Sequence, residues 1–298
     1  MKVRFVVAPT VSEHDRETLR LAAQAHADLS ALDYDICEIK PGEDTTAVIA
    51  RYGISGVGCL VAVGGDGTVS AVAHEVVGKE VALGIVPAGT GNLVARELGI
   101  PLEIGAAVAL IAKDNDRKKI DAMQIFGRAY LLNAGVGINA EVIDRTSRLG
   151  KSLFGRSAYV GTAVWKVLQA KPQRFNVTVD GDEYVFNATD IAISNCGLLA
   201  KALNPNGPDV RADDGKVDIC VLCMKTPLEY PWYYFLKHIA PERVNKIMYE
   251  ISARESVKIE SAKPVVVQAD GDIIGETPVT ISVHPRAVTM IVPPSRAD

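Results

Sequence analysis

Residues 60–70 read LVAVGGDGTVS: an apolar run leaves through Gly64-Gly65-Asp66-Gly67 and passes at once into helix-forming residues. LGIVPAGTGNLVARELG repeats the construction, with Thr90 and Asn92 in its turn. Helix N-termini expose unpaired N–H groups at the positive end of the dipole, and glycine lets phosphate oxygens reach them. Asp66 is awkward beside a phosphate unless a divalent cation sits between them, so the two turns point to a nucleotide or phosphate site with Mg²⁺. Neither G-x-G-x-x-G nor the P-loop G-x-x-x-x-G-K-[ST] is present, and a tight turn with nothing bound is the plainer reading. Asp213-Asp214-Gly215, Asp270-Gly271-Asp272 and Asp180-Gly181-Asp182 read on their own as turns beside strands.

These blocks need a frame. Up to Lys119 the chain alternates strand and helix: strands at 3–9, 34–39, 58–65 and 81–87, helices at 13–32, 45–52, 67–78, 90–99 and 102–113. That alternation predicts parallel strands with right-handed crossovers, a Rossmann-like layered unit whose ligand edge carries both glycine turns. Past Lys119 come short strands with Asp-Gly turns, including a hairpin around Asp180-Gly181, which predict an antiparallel sheet or sandwich. The boundary falls near residue 121, giving a nucleotide-binding α/β domain at 1–121 and a β-rich acceptor domain at 122–298, its last residues packing back on the first.

The chain has 298 residues with 25 Gly and 15 Pro, and its length suits two domains that each bury a core. A formal net charge of −4 leaves no basic excess for a phosphate backbone, which disfavours nucleic acid as a partner. No run of eighteen apolar residues occurs and the N-terminus reads as a strand, so a cytoplasmic chain without a spanning segment is expected. Five cysteines argue against a disulfide framework and are expected to be buried. Cys220 and Cys223 form a C-x-x-C on a predicted strand, where residues three apart face opposite ways and cannot share one ion.

GGDGT at 64–68 followed by PAGTGN at 87–92 resembles the diacylglycerol kinase/sphingosine kinase family, and is most similar to its soluble bacterial members. NAGVGINAEV (133–142), PDVRADDGKVDICVL (208–222) and QADGDIIGETPV (268–279) continue the likeness in family order over almost the whole chain. The resemblance implies a Rossmann-like domain of the NAD kinase/diacylglycerol kinase type plus a C-terminal β-sandwich, with ATP between them. It implies ATP phosphates on Gly64, Gly65, Asp66, Gly67 and Thr68, with Thr90 and Asn92 beside them. Mg²⁺ would be held by the Asp214 carboxylate and the backbone carbonyls of Arg211 and Lys216. Asp272 would stand where the family has a glutamate base, one methylene shorter, while Asp66 supports the metal at the phosphates.

The implied activity is transfer of the γ-phosphate of ATP to a lipid hydroxyl, with diacylglycerol or a related lipid as acceptor. The expected partner is therefore a lipid at a membrane surface, met peripherally, with a homodimer as a second association. NAD kinases share the GGDG turn, so a soluble acceptor is the alternative. A nucleotide-binding sensor with little turnover is another, because Leu93 stands where many family members have an aspartate and Asp272 where the base is usually a glutamate. Ser70 and Ala71 likewise stand where many members have Asn and Glu. The aromatic stretch 230–244 and the stretch 149–168, with Lys151 and Arg156, are candidates for the lipid end.

Overall fold

The computed structural model describes residues 2–30, 32–113, 116–137, 171–198, 209–224, 229 and 247–294. Its first part runs β1 (Lys2–Val7), α1 (Glu13–Ser30), β2 (Asp33–Glu38), α2 (Thr45–Tyr52) and β3 (Cys59–Gly64). It continues with α3 (Asp66–Val76), β4 (Ala82–Pro87), α4 (Leu93–Glu97) and α5 (Ile104–Ala112). Strands β2-β1-β3-β4 lie side by side, all parallel. Every residue of β3 and β4 is buried, as a continuous apolar run covered on both faces requires. The helix expected over 90–99 is only Leu93–Glu97, because Asn92 is left-handed at φ 50° and Gly99 leaves the helix at φ 67°.

Among the described residues the second part is built of strands, apart from helical residues at 197–198 and 229: β5 (Arg117–Ile125), β6 (Arg128–Tyr130), β7 (Asn133–Gly137), β8 (Gln173–Val179), β9 (Asp182–Ala188) and β10 (Asp190–Ser194). There follow β11 (Val217–Leu222), β12 (Met248–Ala253), β13 (Ser256–Ser261), β14 (Val266–Ala269), β15 (Asp272–Glu276) and β16 (Val279–Ile291). One sheet has the order β12-β11-β10-β7-β14-β15. The other continues the parallel sheet through β16, in the order β4-β16-β13-β8-β9, with β5 pairing β16 and β6 pairing β5. Alternate residues of the two sheets pack together as the sandwich core, among them Met123, Phe175, Ile191, Ile219, Val267 and Ile281.

Two long strands belong to both cores. Ile120 and Ala122 of β5 lie in the α/β core, Met123 and Ile125 in the sandwich core. On β16, Val279, Ile281 and Val283 are sandwich residues, while Val288, Met290 and Ile291 pack in the α/β core. Met290 pairs with Leu83 of β4 in parallel, and the register with β5 slips between His284 and Val288. Elsewhere the chain changes sheets at tight corners, two of them Leu131-Leu132 between β6 and β7 and Arg254-Glu255 between β12 and β13.

None of the five cysteines is in a disulfide, but the expectation that they are buried needs correcting: Cys220 and Cys223 keep intermediate exposure. They pack on different apolar clusters, as strand alternation demands. The stretches 149–168 and 230–244 lie outside the described residues.

Candidate functional site

The two glycine turns touch. A Cβ on Gly89 would stand 2.4 Å from the Cα of Gly65, so a side chain on Gly89 would push the turns apart. Gly64 pairs in register with Pro87 and its carbonyl accepts from the Ala88 N–H at 2.9 Å. A Cβ on Gly64 would collide with the Thr68 hydroxyl at 2.5 Å, which places the Thr68 side chain back against the turn. Close approach of backbone to backbone is therefore one reason for these glycines.

Polar side chains of the turns are engaged with turn and helix backbone. The Asn92 amide closes its own loop, accepting from the Gly89 N–H at 3.0 Å and donating to the Gly89 carbonyl at 2.8 Å. Asp66 Oδ1 accepts from the Val94 N–H at 3.2 Å, capping α4 from the neighbouring turn. Gly65 caps α3 with no side-chain hydrogen bond, so the opening N–H groups of that longer helix lack a side-chain acceptor at their cap. Thr90 is exposed at the tip of the second turn. Leu93, where the family has an aspartate, packs against the α/β core.

Asp272 comes to this place from the far end of the chain. Its Oδ2 lies 3.9 Å from where a Cβ of Gly67 would sit, over the first turn of α3. A cleft of about 70 Å³ opens there, lined by Thr46, His74, Arg128, Tyr130 and Asp272. Gly67, Ser70, Ala71 and His74 form the α3 wall at helical spacing. Burial pushes the Asp272 carboxyl above the usual range, although the residue keeps solvent contact, and Arg128 pulls it the other way. Burial likewise raises the Tyr130 phenol.

Sequence reasoning passed over Asp270, the neighbour that holds Asp272 there. Asp270 is left-handed at φ 48°, and its Oδ2 accepts from Ser70 Oγ and from the Leu131 N–H at 3.0 Å. Oδ1 accepts from the Leu132 and Asn133 N–H groups, each at 3.0 Å. Burial raises this carboxyl, against the opposing pull of the Ser70 hydroxyl and the three amides. Ser70, a departure from the family pattern, thus ties the helix of the first glycine turn to the β14–β15 hairpin. The partners lie 200 residues apart in sequence.

The Asp214 loop is organised from β5. Asp121 is fully buried in the middle of that strand, and its Oδ2 accepts from the Gly215 N–H at 2.7 Å. Its Oδ1 accepts from the Arg286 N–H at 2.7 Å, and its own N–H donates to the Ala212 carbonyl at 2.7 Å. Asp213 pairs outward with Lys118 and Arg211, which lower its carboxyl against burial. Asp214 turns inward, and burial raises its carboxyl in spite of Lys216 Nζ at 3.7 Å. Its Oδ1 is buried without a hydrogen-bond partner among the described residues. Such an atom fits a cation ligand, because an unpaired buried carboxylate oxygen is otherwise costly. No group of three or more His, Cys, Asp or Glu side chains among the described residues could hold a metal, so a cation here needs backbone carbonyls.

The structure thus gathers Gly64, Gly65, Asp66, Gly67, Thr68, Asn92 and Asp272 around one helix terminus, and sets Arg211, Asp214 and Lys216 on a separate loop. Residues 2–125 match the diacylglycerol kinase catalytic domain family, and residues 133–292 match the YegS C-terminal NAD kinase β-sandwich-like domain. The chain belongs to the diacylglycerol kinase family of lipid kinases. Within that family it is 27% identical over 288 residues to a diacylglycerol kinase of Mycobacterium tuberculosis, covering 90% of this chain and 89% of that protein. It is 29% identical over 239 residues to an uncharacterized protein of Synechocystis, with 78% of this chain aligned to about half, 54%, of the other. The crystal structure of a diacylglycerol kinase from Bacillus anthracis superposes with a TM-score of 0.75 at 26% identity, covering 99% of this chain and 98% of that one. The Rossmann-like unit and the β-sandwich expected from the sequence are thereby shown. Among the described residues no helix is long and apolar enough to cross a membrane.

Proposed function

We propose that this kinase-family chain transfers the γ-phosphate of ATP to the hydroxyl of a lipid, diacylglycerol or a related molecule. The observation that carries the reading is the Asp272 carboxylate lying against Gly67, at the opening of α3. A candidate base beside a turn that would hold phosphate supports the reading, since hydroxyl phosphorylation needs the two groups together. Gly64, Gly65, Gly67 and Thr68 would hold phosphate oxygens, with Thr90 and Asn92 of the second turn beside them. Asp66, already fixed by the Val94 N–H, keeps its second oxygen for a cation at the phosphates. Bound MgATP supplies the electrophilic phosphorus.

Asp272 would accept the proton of the acceptor hydroxyl. Its raised carboxyl suits that role, since a base works best with a pKa drawn toward the working pH. Asp270 and Ser70 keep the hairpin in place while this happens. A structural Mg²⁺ on the Asp214 carboxylate, with the carbonyls of Arg211 and Lys216, would satisfy the orphaned Oδ1. Incubation with γ-labelled ATP, Mg²⁺, a total lipid extract and NAD, followed by solvent partition, tests the reading. Label in the organic phase is the expected result. Label confined to a water-soluble dinucleotide, or ATP binding without transfer, overturns it.

A further inference from the structure

At the opposite end of β4 from the glycine turns, the surface opens into a cavity of about 390 Å³. Six residues at about 3.3 Å each separate it from the Pro87 end of that strand, so it is a different place from the kinase site. Lys79, Lys119, His284 and Arg286 line it, against the single carboxylate of Glu80. That composition stands out in a chain of net charge −4.

The segments that carry these cations are fixed by backbone contacts, and only Lys79 has a counter-charge. Neither the Lys119 ammonium nor the Arg286 guanidinium has an ion-pair partner among the described residues, and Lys79 reaches only Glu75 at 3.9 Å. Arg286 sits at φ 51°, an uncommon conformation for a residue with a Cβ, in the register slip of β16. Buried Asp121 fixes that kink through the Arg286 N–H at 2.7 Å. One residue on, the Ala287 carbonyl accepts from the Gly78 N–H at 2.9 Å, pinning the loop that carries Lys79. Thr289 pairs with Lys119 across β16 and β5, and the His284 ring is anchored on Gln124 at 3.1 Å. Three chain segments are thus fixed so that the unpaired Lys119 and Arg286, with Lys79 beside them, line one concavity that also carries the Thr289 hydroxyl.

We propose that this cavity binds a phosphate group. Lysine and arginine form the strong charge-assisted bonds that phosphate oxygens accept, and the planar guanidinium can engage two oxygens together. The phosphate can come from an anionic lipid headgroup or from a free phosphate ion, and the cavity chemistry is the same for both. The assignment does not depend on the kinase reading, because none of these side chains belongs to the glycine turns or to the Asp272 cleft.

The test pairs calorimetric titration of inorganic phosphate with co-sedimentation on phosphatidylcholine vesicles, with and without phosphatidylglycerol. The wild-type chain should bind at least one probe saturably, and Lys119→Ala/Arg286→Ala should weaken that binding by about tenfold or more. Lys119→Glu should abolish it, whereas Lys258→Ala, which removes a lysine paired with Glu260 elsewhere, should leave it unchanged. Sedimentation with the anionic vesicles identifies a headgroup as the source, and phosphate binding without sedimentation identifies the free ion. Absence of saturable binding to both probes, or binding that survives the double substitution, overturns the assignment.

Discussion

Two Asp-Gly-Asp hairpins in this chain share one backbone device and serve different ends. Asp180 and Gly181 have φ 49° and 96°, and Asp270 and Gly271 have φ 48° and 93°. Asp180 Oδ2 accepts from the Arg254 N–H at 2.7 Å, and its Oδ1 from Glu255 and Ser256 at 2.8 and 2.9 Å. Asp270 treats Leu131, Leu132 and Asn133 in the same order. Each aspartate also donates its own N–H, to Ser256 or to Asn133, at 3.0 Å. Both triplets are corners where the chain changes sheet, so each sheet has a hairpin tip that pins the strand arriving beside it. What differs is the outside. Asp180 is exposed; burial pushes its carboxyl up, but its three amide partners together hold it below the usual range. Asp270 lies under α3, takes a fourth donor from Ser70, and is raised by burial. The motif is a device of the sandwich, and the helix packed over one copy makes that copy a candidate for chemistry.

Substitution at the third position should separate the copies most sharply. Asp272→Asn is expected to lower kcat by about 10²–10⁴, the range for removing a general base, while Asp182→Asn leaves it unchanged. Steady-state kinetics with a lipid acceptor decide this, and equal turnover in the two variants would remove the distinction. At the first position the contrast is one of stability. Asp270→Ala strands amides that water reaches poorly and should cost about 3 kcal/mol in urea unfolding, against about 1 kcal/mol for Asp180→Ala, whose donors water can serve.

The pH dependence should run in opposite senses. The lowered carboxyl of Asp180 contributes stability above the unfolded value near ~3.9, lost as pH falls through its folded pKa. The raised carboxyl of Asp270 contributes below that unfolded value and loses the contribution as pH rises through its folded pKa. Urea midpoints across this range should therefore flatten on the acid side for Asp180→Asn and on the rising side for Asp270→Asn. Parallel shifts in the two variants would show that burial does not distinguish them. The mildest change, Ser70→Ala, should cost about 1 kcal/mol, the net worth of one hydrogen bond, measured by the same unfolding.

The sequence made the glycine turns and the alternating strands readable because those signals are local. An apolar run, a glycine and a helix follow one another within a dozen residues, and parallel order follows from the crossovers. The D-G hairpin at 180–181 was equally plain. Asp270 has no local signature, because its importance lies in Ser70 and in three amides far from it along the chain. A lone carboxylate within KIDAM marks Asp121 as a break in an apolar strand, but nothing nearby names Gly215 and Arg286 as its partners. The sequence marks Asp66 as a ligand group, and the bond it also makes to the Val94 N–H of the other turn depends on two strands lying in register.

β16 has a bearing on the order in which the molecule can form. Its last residues cover the edge of β4, and they are made some two hundred positions after it. Until they emerge from the ribosome, the nascent α/β unit presents an apolar edge strand with unpaired amides, the kind of edge on which other chains assemble. A fragment ending at residue 125 should for the same reason be prone to aggregation, however complete its glycine turns.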